Sequence, residues 1–394
     1  MKKSNQIDIL RGFAIMQVLA VHVIGRSLNS NELIIQTIFG FSYIIMLCGV
    51  PLFIFISGYT LSAKYWEDFS IKKFYKNRIK NVFIPYFSFS IIYIFLKTAT
   101  KSYVVVDGDF VLLQIFYILF RPDKVFYHFW YIGLIFSFYI FYPLIERILL
   151  KFKKRLFEIF ILSVIIQMVW SLIYETLLKL FSSLNLDFFV YSFIFYFFKY
   201  LFLSNIAFFI LGICFQKGTF KFEKPLFYII PLFAFSFLFL VLLINFDILI
   251  GSLFPLLYIP LIILFLKISN KLSYIGSLFI KIGKHSYGIY LIHAYLNFMI
   301  FVHLISNGFT INSWYFYIVN FIITFSASYT IIRFINYMPH SNLIIGKTRI
   351  QQSLIKYFLK INEDFINSSF EISIDDELKE KTYDPLVIKP LIKV

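Results

Sequence analysis

Asp8-Ile-Leu-Arg11-Gly12-Phe-Ala-Ile-Met-Gln-Val-Leu-Ala-Val-His22 is the core of the first apolar stretch of the chain. It is long enough, with its flanks, to cross a bilayer as a helix. Two of its side chains do not belong in hydrocarbon. Eleven residues are close to three helical turns, so Arg11 and His22 project from nearly the same face, about 16 Å apart along the axis. A cation and an imidazole within a membrane-length run are costly, and such residues mark function by default.

Working outward, the composition repeats this message. Of 394 residues, 60% are hydrophobic and 22% aromatic, and the mean hydropathy is +0.81. Soluble domains are nearer half apolar, so the fold class is an all-α polytopic membrane bundle. Apolar runs cover roughly 9–28, 39–63, 82–99, 130–150, 157–178, 195–216, 225–246, 249–267, 286–304 and 314–335, which predicts about ten transmembrane helices. The stretch 110–120 is apolar but short, as in an interfacial or re-entrant piece. The long run 188–215 carries Lys199 and suits a surface helix leading into a span. Met1-Lys2-Lys3 imitates the start of a secretory signal, but Asp8 and Arg11 interrupt the apolar core, which predicts a retained first helix.

Charge orients the bundle. Lys64, Lys72, Lys73, Lys76, Arg78 and Lys80 follow the second run against only Glu67 and Asp68, and Lys151, Lys153, Lys154 and Arg155 follow the fourth. The alternate loops are poorer in net charge. The positive-inside rule then places both termini in the cytoplasm of a bacterial-type plasma membrane. A formal net charge of +16 is explained by topology and anionic headgroups, with no nucleic-acid motif. Residues 1–335 form the membrane domain. The remainder, 336–394, reads as a cytoplasmic tail with an amphipathic surface helix at about 343–361 and a weakly ordered end. Cys48 and Cys214 both lie in apolar runs and offer neither a disulfide framework nor a metal cluster. No metal is expected, because the histidines lack ligand spacing.

Five segments then resemble one known family. Asp8-x-Leu10-Arg11-Gly12 with His22 is similar to the opening motif of the acyltransferase-3 family, integral membrane enzymes that move acyl groups onto glycans and other hydroxyl acceptors. Pro51-Leu-Phe-Ile-Phe-Ile-Ser57-Gly58-Tyr59 resembles its second-helix signature. Phe74-Tyr-Lys-Asn-Arg78-Ile-Lys80-Asn81-Val-Phe-Ile-Pro85-Tyr86 resembles the basic segment before the third helix, with Asn81 where a second arginine is often found. His128-Phe-Trp130-Tyr131 resembles the fourth-helix motif. Gly283-Lys-His-Ser286-Tyr287-Gly288-Ile-Tyr290-Leu-Ile-His293 resembles the late Ser-Tyr-Gly element. The matches keep the expected order from residue 8 to about 335.

The resemblance implies a donor, acyl-CoA and most simply acetyl-CoA, and an acceptor hydroxyl on a cell-surface polysaccharide or lipid-linked glycan. Arginine pairs bidentately with phosphate, so Arg11 and Arg78 are the coenzyme clamps, with Lys73, Lys80 and Ser57 as further donor contacts. An imidazole exchanges protons near neutral pH, so His22 is the candidate base. An acyl-imidazole relay is the variant. His128, Trp130, Tyr131, Tyr290 and His293 are the candidate acceptor contacts. Blander readings stand beside these. Arg11 paired with Asp8 could simply snorkel, His22 and His293 could be interhelical hydrogen-bonding bridges, and Trp130 could belong to an interfacial belt. A polysaccharide exporter or proton-coupled secondary transporter is the alternative function.

Overall fold

The computed structural model describes residues 3–66, 69–99, 110–182, 188–220, 232, 234, 236, 247–272, 276–338 and 341–346. The chain divides into two units, Met1–Gly346 and Lys347–Val394, and every described residue lies in the first. Helices α1 (Lys3–Ile24), α2 (Leu33–Met46), α3 (Gly49–Tyr65), α4 (Ile71–Arg78), α5 (Ile84–Ala99) and α6 (Phe110–Phe120) build the first half. A short α7 (Pro122–Val125) leads into α8 (Trp130–Lys151). Then come α9 (Leu156–Ser182), α10 (Phe188–Lys199), α11 (Ile206–Gln216), α12 (Asp247–Lys271), α13 (Gly276–Lys284), α14 (Ser286–Ser306), α15 (Trp314–Tyr337) and α16 (Ser341–Ile345). No strand occurs among the described residues.

Nine stretches among the described residues are long and apolar enough to cross a membrane: Asn5–Asn29, Leu33–Tyr65, Ile71–Thr98, Tyr127–Lys151, Lys153–Phe181, Phe193–Gln216, Leu253–Lys271, Ser286–Ser306 and Trp314–Tyr337. The protein is therefore an all-α polytopic bundle. All of the expected run 225–246 except 232, 234 and 236, and most of the expected surface helix at 343–361, lie outside the described residues. The long run 188–215 is broken where Phe202–Asn205 forms a 3-10 turn between α10 and α11. The short apolar stretch 110–120 is the single helix α6.

The helices are apolar on both faces, as lipid requires. On α8, Ile140, Leu144 and Ile148 are exposed, whereas Leu134, Phe138, Tyr142, Ile145 and Leu149 are buried. With apolar surface on every side, close packing decides which helices touch, and small residues make it possible. A Cβ on Gly58 of α3 would stand 2.1 Å from the Phe209 carbonyl oxygen, and one on Gly212 of α11 would stand 2.1 Å from that of Phe55. The two backbones meet at these glycines. Helix α1 crosses α13 in the same way, since a Cβ on Gly283 would lie 1.8 Å from the Asp8 carbonyl oxygen. The late motif thereby locks onto the first one.

Two aromatic-rich cores result. One gathers α3, α8, α11 and α12 around Phe55, Phe138 and Phe209. The other gathers α1, α5, α14 and α15 around Tyr86, Phe129 and Tyr317. Helix α1 contributes Leu10 and Ala14 to the first and Ile15, Leu19 and Val23 to the second. This shared position places its polar stripe between the two halves of the bundle.

Candidate active site

Helix α1 ends at Ile24 and runs on as a 3-10 turn, Gly25–Asn29. His22 sits one turn before that junction and lines a cavity of about 420 Å³. Val18, on the same helical stripe, lines it too. The opposite walls come from Tyr43 and Met46 of α2, from Tyr127 and His128 in the 3-10 turn before α8, from Trp130 and Tyr131 of α8, and from Tyr290 of α14. The cavity is aromatic with a few convergent polar groups, the usual make-up of a small-molecule site.

Three histidines distant in sequence meet here. The ring centroids of His22 and His293 are 5.2 Å apart, those of His128 and His293 5.1 Å, and those of His22 and His128 6.5 Å. The 3-10 turn Tyr127–Phe129 delivers His128, pinned by the Tyr290 hydroxyl, which donates to the His128 carbonyl at 2.6 Å. His293 is fully buried, and its Nδ1 lies 2.8 Å from the Tyr290 carbonyl and 3.2 Å from that of Ile289. Carbonyls only accept, so Nδ1 carries the proton and Nε2 is a bare acceptor. That Nε2 and both ring nitrogens of His128 are buried without a hydrogen-bond partner. Orphaned buried nitrogens cost about 1–3 kcal/mol each, and three in one cluster mark a place where stability yields to function. No group of metal-ligand geometry occurs among the described residues.

Arg11 lies about three turns before His22 on α1 and is not among the residues that line the cavity. Its Nη1 pairs with Asp8 Oδ1 at 3.0 Å, the guanidinium partly exposed and the carboxylate buried. Tyr131 lines the cavity and packs against Tyr290 and Phe53, with ring centroids 5.5 Å and 6.1 Å away. Ser57 itself donates to the Phe53 carbonyl at 3.0 Å within its own helix. Gly58 beside it serves helix packing, as described above.

The basic motif forms a second focus. Arg78 ends α4, and Ile79–Phe83 is a single π-helical turn, a distortion that concentrates at functional sites. The Arg78 guanidinium lies 5.3 Å from the Tyr139 ring centre and 5.7 Å from that of Phe74. The Tyr65 and Tyr139 phenols reach it, while its Nε is buried without a hydrogen-bond partner. Lys73 and Lys80 are exposed. Asn81, at the position of the missing arginine, donates to the Asn77 carbonyl at 2.8 Å, and its Oδ1 is buried without a partner.

The structure thus gathers His22, His128, His293, Trp130, Tyr131 and Tyr290 at one cavity and leaves Arg78, Lys73 and Lys80 at another place. Trp130 stacks on Tyr200 with centroids 5.2 Å apart, so one of its two ring faces is already covered. Further polar residues escaped the sequence reading: Arg26, Tyr43 and Tyr127 line the cavity, and Asn297, fully buried, donates to the His22 carbonyl at 3.0 Å. Arg26 looks in sequence like a charge flanking a span, and Asn297 like one amide in an apolar run; neither spacing carries a signal.

An imidazole at an aromatic cavity, on one helix with an arginine, is the candidate site of this fold. A family model described as an acyltransferase domain matches residues 4–333. The chain belongs to the acyltransferase-3 family and is a multi-pass membrane acyltransferase. No curated protein and no solved structure matches it.

Proposed function

We propose that this protein is a membrane O-acyltransferase that takes an acyl group, acetyl in the simplest case, from cytosolic acyl-CoA. It transfers that group to a hydroxyl of a cell-surface polysaccharide or lipid-linked glycan. The observation that carries the reading is that His22 lines the aromatic cavity and Arg11 stands eleven residues before it on the same helix. In this reading both termini are cytoplasmic, as the loop charges require.

The donor's phosphates meet Arg11 and Arg78, with Lys73 and Lys80 supplying long-range attraction and Ser57 standing beside the thioester. His22 takes the proton from the acceptor hydroxyl as its oxygen attacks the thioester carbonyl carbon. The tetrahedral intermediate collapses, the C–S bond breaks, and the imidazolium returns the proton to the leaving thiolate, giving the ester and free CoA. His293 is held by its Nδ1 against the Ile289 and Tyr290 carbonyls, which fixes its ring and suits a positioning residue. Trp130, Tyr131, Tyr290 and His128 form the acceptor platform.

The test is direct. Full-length protein in nanodiscs should release free thiol from acetyl-CoA when a glycan acceptor is supplied, and surface glycans of expressing cells should gain 42 Da per acetyl ester, a mass that follows from replacing H by C2H3O. A chain that binds and moves glycans without consuming acyl-CoA would be an exporter, and the proposal would be wrong.

A further inference from the structure

Among the described residues, Arg26 is the one arginine or lysine that lines the cavity, and the reaction above does not use it. Its Nη1 lies 3.3 Å from the His22 carbonyl and 3.1 Å from Asn297 Oδ1, and its guanidinium carbon sits 4.1 Å from the Phe301 ring centre. These contacts fix the group in place but do not neutralise it. Neither ion pair among the described residues, Arg11–Asp8 or Arg121–Asp123, involves it. Glu32, the acid nearest in the chain, is exposed at the start of α2. Nε and Nη2 donate to no described residue, although a guanidinium has five donors arranged to grip an oxyanion.

A half-buried cation in a membrane cavity, oriented by neutral partners and given no counter-charge, is costly unless an anion arrives. The surrounding groups fit one kind of anion. Arg26 is four residues beyond His22, a rise of roughly 6 Å, comparable to the span of one pyranose ring. Tyr43, Tyr127 and Trp130 line the same cavity, and aromatic faces pack well against sugar CH groups.

We propose that Arg26 is the anion subsite of the acceptor pocket. The acceptor is then an anionic glycan, carrying a carboxylate or phosphate oxygen within about one sugar unit of the hydroxyl that receives the acyl group. The assignment rests on the acyltransferase reading for its chemistry, but anion binding can be measured without turnover. Nη1 holds the end of α1 through His22 and Asn297, and the two remaining nitrogen positions hold the acceptor.

The experiment uses full-length protein in nanodiscs and scintillation-proximity binding of radiolabelled glucuronate, glucose 1-phosphate and glucose. The wild-type protein is expected to bind at least one of the two anions about tenfold more tightly than glucose; which anion wins distinguishes carboxylate from phosphate. Arg26→Gln should erase that preference while glucose binding stays, and Arg26→Lys should retain part of it. The readout is a ratio of ligands on one sample, so a reduced folded fraction does not imitate the effect. Equal or undetectable binding of all three ligands to the wild-type protein overturns the proposal. So does an equal weakening of all three in Arg26→Gln, which would make Arg26 only a helix clamp. Thiol release from acetyl-CoA, followed in parallel with glycan-bearing membranes supplied as acceptor, tests the acyl-transfer chemistry separately. Its failure would remove the acyltransferase reading and leave the binding result standing.

Discussion

His22 and His293 hold their rings 5.2 Å apart at a 35° tilt, although 270 residues separate them in the chain. His293 has its proton committed to main-chain carbonyls, and His22 is open to the cavity. The pair divides labour between a fixed ring and a reacting one. His22→Ala should lower kcat by about 10²–10⁴-fold, the range for a general base, in protein that still inserts and migrates as a single species. His293→Asn keeps a donor near the Tyr290 carbonyl but loses Nε2. It should lower kcat by about tenfold with the KM for acetyl-CoA unchanged; a change in KM alone would assign His293 to donor binding instead.

The two arginines proposed as donor clamps can be separated from the lysines. Arg78 is held among Tyr65, Phe74 and Tyr139, whereas Lys73 and Lys80 are exposed. A hydrogen bond to a charged group is worth about 1.5–3 kcal/mol, so Arg78→Gln or Arg11→Gln should raise the acetyl-CoA KM by roughly 10- to 100-fold. Lys73→Gln and Lys80→Gln should change it about twofold or less, an effect that salt removes. Initial rates at two ionic strengths decide this.

The crossing of α1 and α13 predicts a sharp size limit. Gly283→Ala places a methyl group 1.8 Å from the main-chain oxygen of Asp8, which cannot rotate away. Overpacking typically costs about 1–3 kcal/mol and sometimes more, so this variant should melt well below the wild type in a fluorescence-detected size-exclusion assay. Gly40→Ala meets only the Leu28 Cδ2 atom at 3.6 Å and should be neutral.

His285 lies between α13 and α14, just outside the span Ser286–Ser306. Burial pushes its pKa down, nearby Arg333 and Lys284 push the same way, and a hydrogen bond to the Lys281 carbonyl opposes them. The folded protein therefore prefers the neutral ring. An unfolded histidine titrates at about 6.5, so the stabilisation is complete above that pH and is lost as pH falls toward the folded value. His285→Gln should flatten the decline in Tm between pH 7 and pH 5; an unchanged slope would show that another group governs it.

Much of this protein is legible in its sequence because helix periodicity and hydrocarbon thickness act locally. The spans follow from runs of about 20 apolar residues, and the shared stripe of Arg11 and His22 follows from 3.6 residues per turn. Gly58 and Gly283 stand in segments that the family resemblance picks out, yet their role as helix-crossing points appears only when α11 and α13 are in place.

What the sequence by itself determined is the all-α membrane class, the order of the helices and the polar stripe of α1. Only the tertiary structure decided that His22, His128 and His293 converge, that Tyr131 packs on Tyr290 at the cavity, and that Arg26 lines the same space. The reason is physical. In water a helix shows its partner-facing side as an apolar stripe, but in lipid every side is apolar. Which faces meet is then set by glycine contacts and aromatic fit between segments hundreds of residues apart, and that information exists only once the chain has packed.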